Sequence, residues 1–189
     1  MKNIVVLISG SGTNLQRIAD AISNGEITNA KLNLVVADRE CFGLQRAENL
    51  NINTILIPRG KTFSSELEKC IPKDTDLIVL AGFLSILSKE FTEKFNGKII
   101  NIHPSLLPKY GGNGMYGSKV HQEVINNQEK ESGATVHFVT SGIDEGEIIL
   151  QGKAAIDENE TPETLAEKVH QIEYEIFPKA IEKVLKIPL

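Results

Sequence analysis

The chain has 189 residues, 41% of them hydrophobic and 24% charged, with no tryptophan and a formal net charge of −5 at pH 7. That length suits one domain whose core needs neither disulfides nor a structural metal. The acidic balance, without any basic stretch, argues against a nucleic-acid partner, and no apolar run is long enough for a membrane span or a signal peptide. Cys41 and Cys70 have neither metal-ligand nor CxxC spacing. They read as free thiols of a reducing cytosol, a single disulfide being the lesser alternative, and a cytoplasmic location follows.

The first apolar run, Ile4–Ile8, predicts a strand leading into Ser9-Gly10-Ser11-Gly12-Thr13-Asn14. A helix starting near Leu15 carries Ile18, Ala19 and Ile22 on one face. Glycines let the backbone approach an anion, and a helix N-terminus offers unpaired N–H groups at the positive end of its dipole. Leu15 stands where a dinucleotide fingerprint needs its third glycine, and there is no Walker lysine. The loop therefore reads as a cradle for a single phosphate. A tight strand-to-helix turn without a ligand would use the same residues.

Leu32–Ala37, Thr54–Ile57, Leu77–Ala81 and Lys98–Ile100 are further Val- and Ile-rich runs, with a helix on Leu44, Ala47 and Leu50 between the first two. Short continuous apolar strands alternating with helices indicate a parallel sheet covered on both faces. After Gly82, the segment Phe83-Leu84-Ser85-Ile86-Leu87 reads either as core packing or as an apolar wall for a flat aromatic ligand.

Asn101 and His103 follow the fifth run, two residues apart and on one face if the chain stays extended. An amide can hydrogen-bond a developing oxyanion, and an imidazole can move a proton near neutral pH. Pro104 and Pro108 make the exit a rigid loop. Lys119–Asn127 reads as a helix, and Ala134–Thr140 and Ile148–Ile156 as antiparallel strands joined through a Gly-flanked turn that holds Asp144. His137 reads as a packed strand histidine, and Asp144 as either a partner for His103 or a stabiliser of its own turn. Thr161 caps a last helix, with Leu165, Val169, Ile172 and Ile176 as its stripe. Glu173 borders that stripe and reads as solvated surface, and Pro178 is expected to kink or restart the helix. The expectation is a single α/β domain over 1–189, with a mostly parallel Rossmann-like sheet, an antiparallel C-terminal portion and helices on both faces. Residues 1–97 would form a phosphate-binding half, and residues 98–189 a catalytic half.

The segments VVLISGSGTNLQ, VLAGFLSILS, IINIHPSLLPKY, GATVHFV and IDEGEIILQ, in this order along nearly the whole chain, resemble the folate-dependent phosphoribosylglycinamide formyltransferases. The resemblance implies that the glycinamide amine attacks the formyl carbon of 10-formyltetrahydrofolate, the co-substrate, through a tetrahedral intermediate in purine synthesis, with no metal. Asn101, His103 and Asp144 would then be the catalytic trio. Gly12, Thr13 and Asn14 would hold the ribonucleotide phosphate, and Glu173 would contact the same substrate. Phe83, Leu84, Ser85, Ile86 and Leu87 would line the pterin pocket, with Asn101, Val139, Thr140 and Asp144 opposite. Partners would be small molecules only, and the protein a monomer or weak homodimer. The chain departs from many members in its longer loop Gly111–Gly117. Ser85 stands where others have a basic residue, and Arg59 and Lys61 are the available substitutes for a second one. Methionyl-tRNA formyltransferase would require a basic domain after Leu189, and a formyltetrahydrofolate hydrolase a domain before Ile4. A sugar-nucleotide N-formyltransferase and a non-catalytic phosphate-binding module are the alternatives.

Overall fold

In β1 (Lys2–Ile8), Ile4, Val6 and Ile8 enter one core while Val5 and Leu7 enter another. A strand buried on both faces must have helices on both sides, and it therefore reads as an unbroken apolar run. The computed structural model describes residues 1–187. β1 is followed by α1 (Thr13–Ser23), β2 (Ala30–Ala37), α2 (Phe42–Asn49), β3 (Thr54–Leu56), α3 (Phe63–Cys70), β4 (Thr75–Leu80), α4 (Lys89–Lys94) and β5 (Ile99–His103). The chain continues through α5 (Ser118–Asn126), β6 (Glu131–Phe138), β7 (Ile148–Ala155) and α6 (Pro162–Leu185). The sheet order is β3-β2-β1-β4-β5-β6-β7. Neighbours through β5 are parallel, and β6 and β7 are antiparallel additions. The expected fold class is what is found. Leu15 and Ile18 of α1, Ala47 of α2, Val124 of α5 and Val169, Phe177 and Ile181 of α6 cover one face. Phe63 and Leu67 of α3 and Phe91 of α4 cover the other.

Strand order reverses beside β1, between the connection to β2 and the return to β4. Such a switch point opens a crevice at the carboxyl ends of the strands. Here the edges are tied by Ser9 N–H donating to the Gly82 carbonyl at 3.1 Å.

Three local features depart from the sequence reading. β5 runs on through His103, because Asn101 pairs with His137 and His103 with Thr135 of β6. Helices α3 and α4 carry no long apolar stripe and are short; α4 is six residues, started by Ser88 Oγ accepting from Phe91 N–H. Finally, α6 is uninterrupted at Pro178. Proline removes the bond to the carbonyl four residues earlier, which is that of Tyr174, and Arg17 Nε of α1 donates to that carbonyl at 3.0 Å instead. At its start α6 has the expected Thr161 cap, with Thr164 N–H donating to Thr161 Oγ1 at 3.2 Å. Cys41 and Cys70 are both free. Among the described residues no helix is long and apolar enough to cross a membrane.

Candidate active site

The crevice widens into a cavity of about 570 Å³ lined from Gly10–Asn14, Leu80–Leu87, Asn101–Pro104, Gly112–Ser118, Val139–Asp144 and the inner face of α6. Alternation along β5 turns Asn101 and His103 into it together. His137, on β6 opposite Asn101, is also part of its wall.

Hydrogen bonds define the state of the His137 ring. Its Nδ1 lies 2.8 Å from the Phe138 carbonyl oxygen, which can only accept, so Nδ1 carries a proton. Its Nε2 is 3.1 Å from Asn101 Nδ2 and accepts from that amide. Burial pushes the His137 imidazole below its ordinary pKa, against the opposing effects of the Phe138 carbonyl and Asp144. A neutral ring with one donor and one acceptor fits both contacts and fixes the direction of the Asn101 amide.

The His103 side chain is 5% exposed. Its Nε2 donates to the Tyr110 carbonyl at 2.7 Å, and its Nδ1 stands 3.5 Å from Asp144 Oδ2. Asp144 is held by its backbone, with φ 58° in the left-handed region. Its Oδ2 also accepts the Gly112 N–H at 2.9 Å. Asp144 Oδ1 is 3.6 Å from His137 Nε2, so one carboxylate faces two imidazoles. The structure thus brings Asn101, His103 and Asp144 together, and adds His137, which the sequence placed in the core.

At the other end Gly12 is the N-cap of α1 with φ 72° and no side-chain cap, leaving the first-turn N–H groups open to the cavity. Gly12 faces Gly43 of α2 so closely that a Cβ on Gly12 would lie 2.7 Å from the Gly43 Cα. Asn14 Nδ2 donates to Glu173 Oε2 at 2.9 Å. Glu173 Oε2 is also 3.0 Å from His170 Nδ1, and His170 Nε2 is 2.9 Å from Thr13 Oγ1. Glu173 is therefore buried inside the site rather than solvated: α6 packs its Glu173 face against the start of α1, and only the i, i+3 spacing with His170 signalled the pairing. His121 of α5 completes this end. It is buried, its Nδ1 has no hydrogen-bond partner among the described residues, and burial pushes its pKa down against the pull of Glu173. Asn14 Oδ1 is likewise buried and unpaired. The sequence singled out neither His121 nor His170.

Between the two ends runs the apolar segment. Leu84 and Ile86 are exposed, Leu87 is buried, and Phe83 packs its ring 5.5 Å from that of Phe63. Val139 and Thr140 also line the cavity, as does the Gly112–Gly117 stretch of the long loop. Ser85, part of the cavity lining, donates its Oγ to Asp38, and Arg59 approaches the same carboxylate.

Residues 2–181 match the model of the formyl transferase family. The chain is 43% identical to the phosphoribosylglycinamide formyltransferase of Haemophilus influenzae, over 96% of this chain and 86% of that one. It is 36% identical to the trifunctional purine biosynthetic protein adenosine-3 of Homo sapiens, over 96% of this chain and 18% of that protein. The crystal structure of glycinamide ribonucleotide transformylase 1 from Symbiobacterium toebii superposes with a TM-score of 0.89 at 35% identity, covering 98% of this chain and 88% of that one.

Proposed function

The chain belongs to the formyl transferase family, and from that premise we propose that it transfers the formyl group of 10-formyltetrahydrofolate to the amine of 5-phosphoribosylglycinamide, a step of purine biosynthesis. The observation that carries this reading is the cavity's two ends. A strand-borne amide and imidazole face a carboxylate at one end, and an open glycine-capped helix N-terminus lies at the other.

The open N–H groups of α1, with Gly12, Thr13 and Asn14, take the substrate phosphate, since anions bind where the backbone is unpaired and the dipole positive. Glu173, held by Asn14 and His170, stands beside them for the sugar hydroxyls. The unpaired Asn14 Oδ1 and His121 Nδ1 are polar atoms that a bound polar substrate would satisfy. Leu84, Ile86 and Val139 give a flat ring its apolar contact, with Phe83, Ser85, Leu87 and Thr140 around them. The co-substrate supplies an activated formyl group; binding and proton handling fall to the protein.

As the amine attacks, negative charge grows on the formyl oxygen. The second N–H of Asn101 Nδ2, with the first committed to His137, donates to it. Donors of this kind are worth roughly 10²–10³ in rate. The tetrahedral intermediate then collapses with cleavage of the formyl carbon–N10 bond of the folate; His103 donates a proton to that departing nitrogen, and Asp144 holds the ring and accepts, through water, the proton released by the amine. The protein works on small molecules; we further assign it a cytoplasmic setting, a monomeric or weakly dimeric state, no metal requirement and no nucleic-acid or membrane partner. A spectrophotometric assay with 10-formyltetrahydrofolate and glycinamide ribonucleotide tests the reading. Turnover that needs the ribonucleotide and vanishes in His103→Ala is expected. Equal turnover with a sugar-nucleotide amine, or none with the ribonucleotide, would sink it.

A further inference from the structure

A second buried carboxylate stands behind the apolar wall, outside the cavity. Asp38 follows β2 and its side chain is 0% exposed. Arg39 grips it with Nε at 2.8 Å and Nη2 at 2.9 Å. Ser85 Oγ donates to its Oδ2 at 2.5 Å, and Arg59 Nη2 approaches the same oxygen at 3.4 Å. Ser9, at the end of β1, lies close enough to help hold the carboxylate charged. Ser9 in turn accepts the Leu84 N–H at 2.8 Å.

A carboxylate taken out of water is unfavourable unless fully paired, and apolar side chains would fill this position without that cost. Its partners lie on loops at the carboxyl edge, after β1, β2, β3 and β4. None lies on the packed faces of the helices. The interaction energy therefore goes into the relative placement of those loops. Burial by itself would push the Asp38 carboxyl up, but the hydrogen bonds from Arg39 and Ser85, with Ser9 close by, hold it below the ordinary value, so it stays charged through the neutral range.

We propose that Asp38 is a positioning residue for the pteridine co-substrate, its carboxylate holding Ser85 and so, together with the Leu84–Ser9 hydrogen bond, fixing the Phe83–Leu87 wall against the phosphate loop. This rests on the assignment of that wall to the reduced folate. Neutralising Asp38 leaves one oxygen for the arginines and a donor facing donors. Ser85 loses its acceptor, and Leu84 and Ile86 lose their fixed height above the cavity.

The test is calorimetric binding of 5-formyltetrahydrofolate, a stable reduced pteridine, and separately of glycinamide ribonucleotide, to Asp38→Asn, Ser85→Ala and the double variant. One charge-assisted hydrogen bond lost predicts about tenfold weaker pteridine binding in Asp38→Asn, with the ribonucleotide within about twofold of wild type. Ser85→Ala should weaken the pteridine about threefold, and the double variant should be no weaker than Asp38→Asn, because both act through one bond. Pteridine binding unchanged in both single variants, or both ligands weakened alike, overturns the proposal. Should Asp38→Asn not fold, Ser85→Ala decides alone. Wild-type protein that binds the pteridine but does not formylate the ribonucleotide overturns the acceptor assignment and leaves the Asp38 result standing. Wild-type protein that binds no pteridine overturns both.

Discussion

The two ends of the cavity are built on opposite plans. At the β5 end the polar groups already satisfy one another: Asn101 with His137, His103 with Tyr110 and Asp144, and Asp144 with Gly112. At the α1 end the side chains Thr13, His170, Glu173 and Asn14 are linked, but backbone N–H groups and the atoms Asn14 Oδ1 and His121 Nδ1 are left over. A preorganised cluster costs no rearrangement when charge develops, which is what a chemical step needs. Leftover donors and acceptors do the opposite, and favour occupancy. Under the proposed function, the difference separates a place for reaction from a place for binding.

That separation can be broken by experiment. His103→Ala should lower kcat by about 10³ or more while leaving ribonucleotide affinity within a few-fold, since it removes a proton donor from the saturated end. Equal losses in kcat and in affinity would show the ends to be one unit. Asp144→Asn keeps the shape and the Gly112 contact but not the charge, and kcat should fall about a hundredfold with an altered pH–rate profile. At the open end the expectation reverses. Gly12→Ala meets both a positive φ and the Gly43 backbone; it should raise the ribonucleotide KM about tenfold and cost about 1–3 kcal/mol of stability in urea unfolding, with kcat less affected.

Acid sharpens the comparison further, because each end holds a histidine with a depressed pKa. His121 and His137 both sit below the ordinary 6.5, chiefly through burial. The folded state therefore binds fewer protons than the unfolded chain in that window. Their contribution is fully present above about pH 6.5 and is lost as pH falls through the folded values. Urea midpoints should decline between pH 7 and pH 5, above the range where the depressed carboxylates titrate. His121→Gln should flatten the decline; an unchanged slope would count against that ring. The smallest effect lies away from both ends. Arg17→Met uncovers the Tyr174 carbonyl at Pro178 and should cost about 1 kcal/mol with activity retained.

How far the sequence could be read follows from what kind of force sets each feature. The parallel strands were visible because double burial writes unbroken Val and Ile runs, as in Ile4–Ile8. Asn101 and His103 were visible because a period of two survives in a five-residue strand. α3 and α4 were not, since α3 turns only Phe63 and Leu67, and α4 only Phe91, as large apolar side chains into the core, too few to show a periodic stripe. Glu173 was misjudged for a different reason. Charge beside an apolar stripe usually means solvent, and only the docking of α6 on α1 turns this side chain inward. His137 is the packed strand histidine that the sequence indicated, 2% exposed, and its pairing opposite Asn101 makes it part of the cavity wall as well. The continuity of α6 at Pro178 likewise depends on Arg17, 161 positions earlier in the chain.

The facing glycines have a consequence for descent. A Cβ on Gly12 would strike the Gly43 backbone, and one on Gly43 would lie 2.5 Å from Ile8 Cδ1. The loop at Gly12 and the start of α2 thus share a contour made of missing side chains. Neither position can drift by small steps, because the smallest step available is already a collision. The two glycines should therefore change together or not at all.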